Sequence, residues 1–100
     1  MDQTRRAQAI EDALMQTLAA EHVRVRDDSD SHANHPGAEH GGGHFQVLVV
    51  SERFRGLSRV AAQRLVYEAL AELMVNDIHA LMMRTLTPER WSAEKSTAAV

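Results

Sequence analysis

A chain of 100 residues has room for one domain with a modest core. Its 44% hydrophobic and 25% charged residues are values of a globular protein, not of a disordered or fibrous one. A formal net charge of −3 disfavours whole-surface binding to nucleic acid or acidic membrane, and the lack of cysteine excludes a disulfide scaffold and thiol catalysis.

Ile10, Leu14 and Leu18 recur every four residues, with Ala7 one turn earlier, which predicts a helix over Thr4 to Ala19 with one buried face. Asp2 or Thr4 is placed to cap it. Val23 and Val25 alternate with Arg24 and Arg26, the pattern of a short strand exposed on one side and ending at Asp27. Residues 28–43, DSDSHANHPGAEHGGG, hold no aliphatic side chain larger than alanine. Such a segment cannot offset its ordering entropy by burial, so a flexible loop is expected. Uncovered loops longer than roughly 12–15 residues are usually functional or disordered.

His44 to Ser51 reads as an interior strand, with Phe45, Val47 and Val49 on one face and Leu48 and Val50 on the other. A connection from Arg53 to Leu57 contains Gly56, and Ser58 is an N-cap for a helix over Arg59 to Val75 that buries Ala62, Val66, Ala69, Leu70 and Leu73. Asn76 or Asp77 closes it. Ile78 to Thr85 is the third strand, where alternation puts His79, Leu81 and Met83 on one face. Thr87 and Pro88 signal a short final helix, anchored by Trp91, with a tail fraying from Ser96.

The order helix, strand, strand, helix, strand, helix predicts one α+β domain over residues 1–100 with its core at about 4–95. Helices pack on a three-stranded sheet, the first two strands pair as a hairpin, and a right-handed crossover makes the third parallel to the strand it joins. The chain holds nothing near the ~20 apolar residues of a membrane span, and MDQTRRAQAIEDALMQ contains no apolar stretch of signal-peptide type. A soluble cytoplasmic protein with no membrane partner is expected.

The six histidines are the chemically distinctive residues. His32, His35, His40 and His44 crowd the glycine-rich segment, His22 precedes them, and His79 stands alone in an apolar run. His32 and His35 have an H-x-x-H spacing short enough to converge, and neutral imidazole suits zinc, iron, nickel and copper. A closed structural zinc site normally includes thiolates and a stiffer frame. His79 must find partners for buried nitrogens or lie at the solvent edge, since an unmet buried donor costs ~1–3 kcal/mol. It reads either as a satisfied structural histidine or as an exposed ligand on a rigid strand. Arg53, Arg55, Arg59 and Arg64 form a run without an intervening acid, suited to solvated surface or to phosphate contacts. No GxxG clamp, GxSxG elbow, HExxH or nucleotide-binding glycine loop accompanies them, so catalysis is not expected.

The segments His44-Phe45, Val49-Val50-Ser51, Arg53-Phe54-x-Gly56-Leu57, Arg64 with Tyr67, Leu70-Ala71-Glu72, Ile78-His79-Ala80-Leu81 and Thr85-x-Thr87-Pro88-x-x-Trp91 occur in this order. Together they resemble the BolA-like family over about Thr4 to Trp91. The resemblance implies an α+β fold related to class II KH domains. It also implies partnership with a monothiol glutaredoxin around a shared [2Fe–2S] cluster, for cluster transfer or iron and stress signalling. There the glutaredoxin cysteine and glutathione supply sulfur, and the invariant family histidine matches His79. A second ligand comes from the long loop, best matched by His32 with His35 as the alternative; no cofactor is expected to be tightly bound in the isolated protein. His44 matches the family histidine before phenylalanine, with a structural or loop-positioning role. The resemblance also implies a second role, DNA-binding transcriptional regulation of morphology and stress genes through Arg53, Arg55, Arg59 and Arg64. In that region Ala62-Gln63-Arg64 stands where many relatives carry Arg-His-Arg.

Overall fold

The structure, a computed structural model, describes residues 3–28 and 43–98. The chain runs α1 (Gln3–Leu18), β1 (His22–Asp27), β2 (Gly43–Val50), α2 (Arg59–Ala69), α3 (Ala71–Asn76), β3 (Ile78–Leu86) and α4 (Pro88–Ala98). One turn of 3-10 helix at Glu52–Phe54 follows β2. The sheet order is β1-β2-β3, with β1 antiparallel and β3 parallel to the central strand. The expected α+β fold, the interior second strand and the parallel third strand are all present.

The apolar spacing of α1 accounts for its placement. Ile10, Leu14 and Leu18 are 0–1% exposed and lie against the sheet face formed by Val23, Val25, Phe45, Val47 and Val49. The period-2 burial of β2 follows from this, because alternate side chains point to opposite faces. Ala62, Val66 and Leu70 of α2 and its C-terminal junction, with Phe54 and Ile78, complete the same core. Among the described residues the opposite, outer face is closed only at one end. There His22, Val50 and Leu86 form a row across the three strands, Val50 and Leu86 are buried outside the main core, and Trp91 of α4 stacks on His22.

Three expectations about the elements change. The single helix over Arg59 to Val75 is two helices, broken at Leu70, whose φ/ψ of −103°/11° leave the helical region. The break lets α2 lie along α1 while α3 returns to β3. It costs little hydrogen bonding, since Leu70 N–H still donates to the Val66 carbonyl and Met74 N–H to the Leu70 carbonyl, at 3.0 and 2.9 Å. The connection before α2 carries the 3-10 turn, capped by Ser51, whose Oγ accepts from Arg53 N–H. The final helix continues past Ser96 to Ala98 instead of fraying there.

Candidate functional site

The third strand departs from simple alternation at the residue of greatest interest. Register runs Gly43↔Ile78 and then His44↔Ala80, so β3 carries one extra residue, His79, opposite β2. The cause is visible in the apolar pattern. Ile78 is buried, and Leu81 and Met83 pack against the same core. Residues three apart can share a face of a strand only if a bulge lies between them. The expectation that His79 shares a face with Leu81 and Met83 is therefore corrected: the bulge turns its ring to the outer face, where it is exposed. Its ring centroid lies 5.1 Å from that of His44, tilted by 43°, and both sit at the end of the sheet not covered by α4.

The histidine segment reaches the sheet at this point. Asp28 N–H donates to the His44 carbonyl at 2.8 Å, and Gly43 N–H donates to the Asp77 carbonyl at 3.0 Å, so both ends of the connection converge near His44 and His79. His32 and His35, the loop candidates, lie outside the described residues, as does most of the expected flexible loop. Among the described residues no three metal-ligating side chains gather, so the histidine that can be placed for coordination is one rigid imidazole beside another.

The arginine run divides. Arg53 extends its guanidinium to the Thr17 carbonyl at 3.4 Å, at the end of α1. Arg55 grips Glu52 through two nitrogens at 2.8 Å and also binds Glu89 of α4. Those contacts push the Arg55 guanidinium above its usual range, and the hydrogen bond from Arg55 holds the Glu89 carboxyl below the ordinary carboxylate value. Arg59 and Arg64 are exposed, with no ion pair among the described residues. Two of the four proposed phosphate-binding cations are thus engaged within the fold.

One contact was not anticipated. His22 stacks on Trp91 with centroids 5.0 Å apart and planes 15° from parallel, while Lys95 lies 5.4 Å from the Trp91 ring centroid. His22 Nε2 is buried and makes no hydrogen bond among the described residues, so the ring acts as a flat packing surface. Extending the Arg24/Arg26 alternation back by one step would have placed His22 on the outer face. Nothing in its spacing indicates a tryptophan from the last helix.

Comparison with known proteins decides the family. A family model described as BolA-like protein matches residues 14–90. The chain belongs to the BolA-like family. BolA-like protein 1 of Pongo abelii is 43% identical over 83 residues, covering 83% of this chain but 58% of that relative, so the chain spans less than two thirds of its length. A protein of Vibrio cholerae named DNA-binding transcriptional regulator BolA is 44% identical over 82 residues, 82% of this chain and 74% of the relative. Among solved structures, the BolA domain of SufE1 from Arabidopsis thaliana is 33% identical with a TM-score of 0.74, covering 85% of this chain and 94% of that one. The BolA-like fold seen there is the α+β arrangement described above. Among the described residues no helix is long and apolar enough to cross a membrane.

Proposed function

We propose that this BolA-like chain is a non-enzymatic adaptor that binds a monothiol glutaredoxin and contributes imidazole to a glutathione-assisted [2Fe–2S] cluster, for cluster transfer or iron and stress signalling. The observation that carries this reading is the exposed His79, fixed by a bulge on a hydrogen-bonded sheet instead of being spent in the core. Its donor chemistry fits: imidazole is a competent iron ligand, and sulfur must come from elsewhere because the chain has no cysteine. The partner's cysteine and glutathione would supply it. His79 would be one protein ligand, and His32, or His35 in its place, the other. The register supports a loop ligand, since the segment rejoins the sheet at Gly43, directly across from Ile78 and next to His79. Bound there, such a cluster supplies electron-transfer and exchange chemistry, with a potential raised by imidazole in place of thiolate. A cytoplasmic setting belongs to the same proposal.

The test is reconstitution of the glutaredoxin–glutathione cluster with this protein, followed by visible absorption and circular dichroism. His79→Ala and His32→Ala are each expected to replace the mixed-complex spectrum with that of the glutaredoxin homodimer, and His35→Ala separates the two loop candidates. Wild-type spectra from both His79→Ala and His32→Ala would sink the ligand assignment.

A second reading, DNA-binding regulation, is supported by the name of the Vibrio cholerae relative and by Arg59 and Arg64, which have no ion pair among the described residues. Arg53 and Arg55, already engaged, weaken it. If only Arg59 and Arg64 meet phosphates, the salt dependence is shallow, with a log–log slope of about −2 from roughly −0.9 per contact. Absence of duplex binding at low salt would remove this reading.

A further inference from the structure

On the side of the molecule defined by the β3 edge, a cavity of about 400 Å³ lies between the start of α2, the second half of β3 and the start of α4. Small-ligand sites typically occupy about 300–1,000 Å³. Its walls combine Arg59 and Arg90 with Thr85 and Thr87, over apolar surface from Leu57 and Met83.

The arginines around it are treated unequally. Arg84 is held by Glu94 at 3.0 Å, and nearby Arg55 by Glu52 and Glu89. Arg59 and Arg90 come from different elements, and the side chain of neither meets a carboxylate or another acceptor among the described residues. In a chain of net charge −3, the available acids neutralise the neighbours and leave two guanidiniums on one cavity. Each guanidinium offers a planar fork of donors suited to phosphate oxygens. Charge count selects among anions: a carboxylate balances one arginine, whereas a phosphomonoester carries about −1.5 to −2 near neutral pH and balances both. The Thr85 hydroxyl can donate to a further oxygen, whereas the Thr87 hydroxyl already accepts from Arg90 N–H and hydrogen-bonds the Glu89 carboxylate. Leu57, 42% exposed, and Met83 give an organic body a surface to cover, which inorganic phosphate would leave bare.

We propose that this cavity binds a phosphomonoester carried on a compact organic body of mononucleotide size, with Arg59 and Arg90 clamping the phosphate. The site lies towards the other end of β3 from His79, which is not among its lining residues. The ester could be a free nucleotide or the 5′ end of a nucleic-acid strand; the chemistry recognised is the same.

The test uses the full chain at low salt, with calorimetry and two-dimensional NMR that includes the arginine Nε–H signals. The probes are adenosine 5′-monophosphate, adenosine, inorganic phosphate, and hexathymidylate with and without a 5′-phosphate. Saturable binding of adenosine 5′-monophosphate is expected, with shifts at Arg59, Arg90, Thr85 and Thr87 and none from adenosine. Arg59→Gln and Arg90→Gln should each weaken it by about tenfold, as loss of a charge-assisted contact does. Arg26→Gln, at an arginine paired with Asp28 on the far strand, should change nothing. Tighter binding of 5′-phosphorylated hexathymidylate than of the mononucleotide would support the site and identify a strand end as the source. Several results would overturn it: no binding, equal affinity for inorganic phosphate (an adventitious ion only), equal affinity for the two hexathymidylates, or indifference to both arginine substitutions.

Discussion

Ser51 joins three parts of the structure, and its truncation has a calculable effect. The residue is fully buried; its Oγ–H donates to the Leu18 carbonyl at 2.6 Å, and its oxygen accepts from Arg53 N–H at 3.0 Å. Leu18 is the last residue of α1, where helix geometry leaves carbonyls without an intrahelical donor. Arg53 N–H is likewise at the start of the 3-10 turn. Ser51→Ala removes both partners at once. Two neutral hydrogen bonds at a net of about 1 kcal/mol each give about 2 kcal/mol. The cost of stranding one buried acceptor, reckoned instead of its bond, runs up to about 3 kcal/mol, so a loss of at least about 2 kcal/mol follows. For a domain of this size 1 kcal/mol corresponds to roughly 4–8 °C in Tm, hence a fall of at least about 8 °C. Urea titration followed by far-ultraviolet circular dichroism should show a lower midpoint with an unchanged slope. A loss below about 0.5 kcal/mol would show that water or relaxation replaces both bonds, and would refute the reasoning.

Ala19, the residue after α1, has φ 47°, the left-handed conformation that glycine adopts without penalty. Ala19→Gly should therefore stabilise the chain by about 0.5–1 kcal/mol, the relief of about 1–2 kcal/mol less the entropy glycine adds to the unfolded state, measured by the same titration. Glu89 titrates below its unfolded value because Arg55 hydrogen-bonds its carboxylate. Its stabilising contribution is full above the unfolded carboxylate range and is lost as pH falls through the lower, folded value. Glu89→Gln should accordingly flatten the acid side of the stability profile while leaving the shape near pH 7 to 9 unchanged; an unaltered acid limb would count against the pair. The His22–Trp91 stack should show a coupling of about 0.5–1.5 kcal/mol in a double-alanine cycle, and additivity within about 0.3 kcal/mol would mean that the rings merely coincide.

Much of this protein was legible in one dimension. The four-residue spacing of Ile10, Leu14 and Leu18 specifies a helix and its buried side, and the alternation through Phe45, Val47 and Val49 specifies a strand and its face, because local geometry has only these two periods. The order of elements then implied a parallel third strand. Resemblance contributed the family and His79, which spacing alone could not separate from a structural histidine. Tertiary structure decided what depends on neighbours distant in sequence. Only pairing with β2 reveals that β3 must bulge to keep both Ile78 and Leu81 in the core, and that bulge sends His79 to solvent. Only packing shows that Arg55 is engaged by glutamates while Arg59 and Arg90 share a cavity, since charge pairing is set by three-dimensional proximity. The break at Leu70 has the same origin: its sequence continues the helical pattern, and the turn exists because α1 and β3 draw the two halves in different directions.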